Sequence, residues 1–93
     1  MRGYTLEKND YLTRLRKIEG QVRGLQRLIE DDTYCIDVLT QIASVNAALK
    51  QVAVGLVDQH LRHCVIEAMT ADADEGDRRL REATDAVKRL VQL

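Results

Sequence analysis

One helical pattern constrains the fold of this chain more than any other feature. From Tyr34 to Met69, apolar residues recur every three or four positions, and the 93-residue chain contains no proline that would break a helix. The apolar seam comprises Ile36, Leu39, Ile42, Val45, Leu49, Val52, Leu56 and Val57. A helix of this length spans roughly 54 Å at about 1.5 Å per residue. Because so small a chain cannot cover such a rod alone, we expect partner subunits to do so.

A second helical pattern precedes the long one. The apolar residues from Tyr11 to Ile29 follow a heptad-like spacing, which predicts a helix over 6–30. Gly20 and Gly24 interrupt its other side. They indicate either close backbone approach to another helix or to DNA, or a weakness that a well-packed helix tolerates.

Polar segments separate the helices. Asp32 or Thr33 is expected to cap the start of the long helix, predicted over 34–69. The stretch TADADEGD predicts a second turn, with Gly76 as its flexible point. A short third helix is expected over 77–91, with Leu80, Ala83, Val87, Leu90 and Val91 facing inward. The sequence therefore predicts an all-α fold of three helices in a single domain, 1–93.

Composition and charge narrow the function classes. No apolar run approaches 18 residues and no signal-peptide pattern opens the chain, which favours a soluble, cytoplasmic protein. Two cysteines in such a chain suggest metal or redox chemistry rather than a disulfide. The formal net charge is −1, yet five basic residues lie between Arg14 and Arg27 against the single acid Glu19. This basic stripe is either a DNA-binding surface or a solvated helix face.

A cluster of chemically capable side chains lies late in the long helix. His60 and Cys64 are four residues apart and share one face. Cys35 precedes His60 by 25 residues, roughly 37 Å of helix, so it can meet the pair only if a second copy of the helix runs antiparallel alongside. Two thiolates and one imidazole favour Cu(I), whereas structural Zn(II) usually takes four protein ligands. His63 could supply a fourth ligand, but it projects about 60° from His60 around the helix, so we expect it to be exposed or to support a ligand.

The spacing of these residues leaves a second interpretation open. Cys35 and Cys64 could be small apolar residues of the core, with His60 a hydrogen-bonded polar neighbour. Substitution of Cys35 by alanine separates the two interpretations, since a purely structural helical oligomer would keep its copper affinity.

The chain resembles the CsoR/RcnR family of bacterial metal-sensing repressors, in particular its copper-sensing branch. Three segments support the resemblance, which covers nearly the whole chain: RLRKIEGQVRGLQRLIEDDTYCIDVLTQI, HLRHC and EATDAVKRL. It implies an antiparallel helical-bundle dimer that assembles into a dimer of dimers. It also implies a repressor that binds operator DNA without metal and leaves it when Cu(I) binds.

The resemblance also implies roles for individual residues. Cys35 of one protomer, with His60 and Cys64 of its neighbour, would bind Cu(I) in trigonal geometry. Tyr34 and Glu82 would hydrogen-bond to His60 and fix its orientation. No winged-helix or helix-turn-helix element is expected, so a basic helical face would contact DNA. The candidates are Arg14, Arg16, Lys17, Arg23 and Lys50.

Other branches of this family sense nickel or cobalt, formaldehyde, or reactive sulfur. The segment MRGYTLE lacks the N-terminal histidine of nickel sensors, and Arg2 stands where formaldehyde sensors have proline. Sulfur sensors lack the histidine that this chain has as His60. A Zn(II)- or Ni(II)-responsive relative, or a copper buffer or chaperone that never binds DNA, remains as an alternative. No acid–base or nucleophile constellation beyond the three candidate ligands suggests an enzyme.

Overall fold

The computed structural model describes residues 7–92. Its elements in chain order are α1 (Lys8–Glu30), α2 (Cys35–His60), a π-helical turn (Leu61–Val65), α3 (Ile66–Ala71) and α4 (Ala73–Val91). No strand occurs among these residues, which confirms the predicted all-α fold. The predicted first residue of helix one, Leu6, lies outside the described part.

The predicted long helix corresponds to α2, the π-helical turn and α3 together. The backbone at Val65 and Ile66 keeps right-handed helical angles, so the helical path continues from the turn into α3. Across the described residues, no helix is long and apolar enough to cross a membrane.

The chain folds as two compact units, and the first comprises Lys8–Ala53. In this unit α1 packs against the first part of α2 around one cluster of buried apolar side chains. The cluster contains Tyr11, Ile18, Val45 and Val52, with Leu25 and Ala48 packed against it. Tyr11 and Ile18 are seven residues apart, as are Val45 and Val52, so each helix presents one heptad position to the other.

Much of the predicted apolar seam lies outside this core. Val38, Val45 and Val52 are buried on α2, whereas the following apolar residues of the unit are exposed. They are Leu12, Leu15, Val22, Ile29, Ile36, Leu39, Ile42 and Leu49. Leu39, for example, is 56% exposed although its side chain is fully apolar. The periodicity therefore grouped into one apolar seam two sets of residues, one buried in the core and one exposed on the surface of the unit.

The connection between α1 and α2 ends the first helix rather than capping the second. Asp32 has a φ of 55°, in the left-handed region. The amides of Asp32 and Thr33 donate to the carbonyls of Ile29 and Leu28, at 3.1 and 3.0 Å. This pair of hydrogen bonds is a Schellman motif, which satisfies the free carbonyls at a helix end. The predicted N-cap, Asp32 or Thr33, is wrong, because Tyr34 directly precedes the helix and its carbonyl accepts hydrogen bonds from the amides of Asp37 and Val38.

The second unit contains the residues from Val54 onward. Here α4 begins earlier than predicted, at Ala73 rather than Asp77. Asp72 is the only non-helical residue between α3 and α4, and its carboxylate accepts a hydrogen bond from the amide of Asp74 at 3.0 Å. This N-cap, with Asp74 and Glu75 in the first turn, stabilises the helix start.

Gly76 is a packing residue, and its predicted role as a flexible point is wrong. It is buried inside α4, and a β-carbon added there would lie 2.6 Å from the Cα of Met69 on α3. Only glycine permits this approach of the two helices. The prediction failed because TADADEGD is turn-like in composition, while a single capping residue was sufficient to redirect the chain. By contrast, a β-carbon at Gly20 or Gly24 would meet no atom of residues 7–92 within 4 Å, apart from its chain neighbours and the nearby backbone of its own helix.

Candidate metal centre

The first candidate ligand lies at the start of α2. Cys35 is the first residue of the helix, and its side chain is exposed. Tyr34 immediately precedes it and is 68% exposed. Neither Cys35 nor Cys64 forms a disulfide. An exposed thiol beside an exposed phenol at a helix end is accessible to a group from outside its own chain.

The other two candidate ligands lie at the π-helical turn. His60 is the last residue of α2 and precedes the turn, and Cys64 is its fourth residue. In a π-helix the hydrogen bonds span five residues, so the turn is wider than in an α-helix. Residues four apart stay on one face of such a turn, as they do in an α-helix. Both side chains are half-buried, and π-helical turns occur frequently at functional sites.

His60 and Glu82 line one cavity within the second unit. The cavity has a volume of about 300 Å³, and its other walls are the apolar side chains of Leu56, Val57, Ala83 and Ala86. The structure thus places Glu82 of α4 and His60 at the end of α2 on the walls of one cavity. A carboxylate at this position can accept a hydrogen bond from an imidazole N–H and so select its tautomer.

Cys64 lines a different cavity, of about 270 Å³, together with His63. The remaining walls are Glu67, Ala68, Ala71, Glu75 and Arg79. His63 is half-buried and lines this cavity beside Cys64, so it is not a fully exposed side chain.

Arg79 lines the cavity of Cys64 and contacts Glu82, which lines the cavity of His60. It was not among the residues singled out from the sequence. Its Nε atom lies 3.0 Å from Glu75, and its Nη1 atom lies 3.5 Å from Glu82. Arg79 therefore contacts the carboxylate that reaches the His60 cavity. The helical spacing could have indicated these ion pairs, because Glu75 lies four residues before Arg79 and Glu82 lies three residues after it on one helix.

No group of three metal-ligating side chains is assembled within residues 7–92 of one chain. Cys35 and His60 occupy opposite ends of α2, and a helix of 26 residues is about 39 Å long. One chain therefore supplies a thiol at one end of α2 and an imidazole with a second thiol at the other. Two thiols and one imidazole form a soft donor set that suits Cu(I), with too few strong ligands for a structural Zn(II) site.

The structure separates the candidate DNA-contacting residues into groups. Arg14 and Lys17 line a groove between α1 and α2, together with Ile18, Gln21, Ala48, Gln51 and Val52. Arg23 forms an ion pair with Glu19, four residues away. Arg16 and Lys50 are exposed but do not line the groove.

Comparison with known proteins gives a consistent result. The family model described as metal-sensitive transcriptional repressor matches residues 7–89. The copper-sensing transcriptional repressor RicR of Mycobacterium tuberculosis is 53% identical over 90 residues, covering 97% of this chain and 94% of the relative. The copper-sensing transcriptional repressor CsoR of Bacillus subtilis is 42% identical over 86 residues, covering 92% and 83%.

A solved structure is also similar. The copper-sensing repressor CsoR from Geobacillus thermodenitrificans, crystallised with Cu(I), has a TM-score of 0.84 and 44% sequence identity. The match covers 91% of this chain and 86% of that one.

Proposed function

The chain belongs to the family of metal-sensitive transcriptional repressors, and we propose that it is a Cu(I)-responsive member that binds operator DNA without metal and releases it with metal. The family consists of regulators rather than enzymes, as the sequence predicted. We also propose that 1–93 acts as one metal-sensing DNA-binding domain in the cytoplasm, where an operator-binding repressor works. Copper-sensing relatives that cover nearly the whole chain support the proposal.

One observation carries the copper assignment: the soft donors lie at opposite ends of α2. Cys35 opens the helix, whereas His60 and Cys64 lie at its end and in the turn that follows. In an antiparallel pair of chains, Cys35 of one protomer would lie beside His60 and Cys64 of its partner. The two-fold axis would create two equivalent sites. Bound Cu(I) would supply a cross-link between the protomers, since each site takes ligands from both.

The exposed apolar residues support assembly. Soluble monomers rarely leave large contiguous apolar surfaces in water, and here both α1 and α2 carry such residues outside the core. A second copy of the chain would cover them in the dimer. We propose that two dimers then associate into a tetramer, which is the assembly that the family resemblance implies.

Tyr34 and Glu82 would orient the imidazole of His60. Glu82 lines the His60 cavity in its own chain, whereas Tyr34 adjoins Cys35 and would approach from the partner. Such partners of a ligand fix its tautomer and raise its affinity for metal.

The switch requires that Cu(I) binds more tightly to the form of the protein that has low affinity for DNA than to the DNA-bound form. A coupling free energy of about 3 kcal/mol corresponds to a loss of operator affinity of roughly 150-fold. The candidate DNA contacts are Arg14, Arg16, Lys17, Arg23 and Lys50, all exposed on α1 and α2. Their cationic side chains would neutralise phosphates.

A complementation experiment tests the shared site. The variants Cys35→Ala and Cys64→Ala should each lose tight Cu(I) binding. When the two are unfolded together and refolded as a mixture, mixed dimers should regain one intact site of the two. A titration that gives no restoration in isolated mixed dimers would contradict a site shared between protomers.

Operator binding provides the second arm of the experiment. The parent protein should shift operator DNA without copper, and stoichiometric Cu(I) under reducing conditions should release it. DNA binding that copper leaves unchanged would contradict the switch. Copper binding without any DNA binding would instead support a buffer or chaperone.

A further inference from the structure

A groove in the first unit combines two kinds of hydrogen-bond donor. It lies between α1 and α2 and has a volume of about 390 Å³. The side chains of Arg14 and Lys17 contribute cations, and those of Gln21 and Gln51 contribute amides. All four residues are exposed, so they surround the opening rather than fill the core.

The remaining lining is apolar. Ile18 and Val52 are buried and Ala48 is half-buried, so these three form the floor. Among the residues that the structure describes, none with a carboxylate lines the groove. The nearest described acid in contact with a lining cation is Asp10, 3.2 Å from Arg14, and both partners are at least half exposed. Such an exposed ion pair contributes little and can be exchanged for a phosphate contact.

These properties match one sugar–phosphate strand of a DNA duplex. The strand is a ridge that a concave surface can receive, whereas base edges lie at the bottom of the DNA grooves and require a protruding element. Deoxyribose offers apolar surface to the floor, and phosphate oxygens accept from cations and amides alike. A glutamine can donate to phosphate without carrying charge.

We propose that this groove seats one sugar–phosphate strand of the operator and that Gln21 and Gln51 donate hydrogen bonds to its phosphate oxygens. The proposal rests on the proposed function, because it requires that the apo protein binds DNA. Gln21 and Gln51 are then positioning contacts beside Arg14 and Lys17, which lie in the same groove. They contribute affinity without sequence readout.

Neutral donors and cations differ in salt dependence, which makes the proposal testable. A cation that binds phosphate releases a counterion, so each one steepens the dependence of affinity on salt by about 0.9 in logarithmic slope. A glutamine amide releases none. Its removal should lower affinity by the same factor at every salt concentration.

The experiment titrates the apo protein with two duplexes at several salt concentrations. One duplex is an operator selected by the parent protein from a random DNA pool, and the other is an unrelated duplex of equal length. The variants are Gln21→Ala, Gln51→Ala and their combination. Lys17→Gln removes a charge from the same groove, and Gln26→Ala is a matched control on α1 that lies outside it.

Gln21→Ala and Gln51→Ala should each lower affinity for both duplexes about three- to tenfold, with an unchanged salt slope. Lys17→Gln should reduce the slope by about 0.9 for each protomer whose groove contacts the DNA. Gln26→Ala should behave as the parent.

Three results would overturn the proposal. Unchanged affinity in the double variant excludes the contact, and a loss confined to the operator indicates base readout. A changed oligomeric state, measured by sedimentation, indicates that a second copy of the chain occupies the groove. If the parent itself binds no DNA without copper, the proposed function fails together with this proposal. The parent titration alone shows that outcome, whereas a failure of the groove proposal alone shows only in the variants.

Discussion

His60, at the end of α2, and Glu82, on α4, line the same cavity although 22 positions separate them in the chain. The short α3 and the one-residue connection at Asp72 return the chain so that α4 packs against α3 and the π-helical turn that follows α2. Movement of α4 would therefore change the wall of the cavity that His60 lines. If His60 binds metal as proposed, the last helix forms part of its surroundings.

We expect Glu82→Gln to weaken Cu(I) binding by about 10- to 100-fold, since an amide holds the imidazole less firmly than a carboxylate. Competition with a Cu(I) chelator of known affinity measures this loss. Asp85→Asn, an exposed carboxylate on the same helix, serves as the control and should bind copper as the parent does. Equal Cu(I) affinities of the Glu82 and Asp85 variants would show that Glu82 does not support the metal site.

Gly76→Ala should destabilise the fold by about 1–3 kcal/mol, because the added methyl group overlaps Met69 and forces α3 and α4 apart. Urea unfolding at a fixed protomer concentration gives the free energy of unfolding. Gly20→Ala is the matched control, because the added methyl group meets no neighbouring side chain there, and it should stabilise the fold by up to about 1 kcal/mol. A Gly76 variant as stable as the parent would contradict the close packing.

Asp32→Gly should raise the free energy of unfolding by roughly 0.5–1 kcal/mol, because glycine adopts the left-handed conformation without the steric cost of a side chain. Thermal unfolding is a sufficient measurement. The neighbouring change, Asp31→Gly, lacks this benefit, since Asp31 does not have a positive φ, and it should be neutral or destabilising. The reverse order of the two variants would be incompatible with the Schellman motif.

Glu19→Gln should strengthen DNA binding by the apo protein severalfold at low salt. The change removes a negative charge and releases Arg23 from its ion pair, so one more cation can meet phosphate. Titrations across a salt series should show a steeper slope than for the parent. Glu30→Gln, at the end of α1, controls for the change in net charge alone, and an identical gain there would show that Arg23 makes no specific contribution.

The fold was largely predictable because helix periodicity and the lack of proline are local properties of the sequence. One detail was not. The pattern did not distinguish Val45 and Val52, which are buried within the chain, from Leu39 and its neighbours, which are exposed. Both sets are apolar and repeat along the same helix, so only packing separates them.

The candidate ligands come from their spacing and from the family resemblance, and both their role as ligands and their shared coordination are proposals. The cavity that joins His60 to Glu82, and the contacts of Arg79 with Glu75 and Glu82, depend on how α4 packs. Sequence spacing shows that Arg79 can reach both carboxylates on its own helix. It does not show that one of them lines a cavity with a histidine of another helix.

The π-helical turn gives the chain a place where its length can change. One residue fewer between Leu61 and Val65 would allow an ordinary α-helix, with helical backbone on both sides intact. The later residues of α3 would keep nearly their present facing, because the extra residue of a π-helical turn is taken up within the turn itself, and Met69 would still meet Gly76. The same deletion within an ordinary stretch of α2 would rotate everything beyond it by about 100°, one residue's step around a helix. The turn can thus lose a residue without a change of phase for the helices packed beyond it.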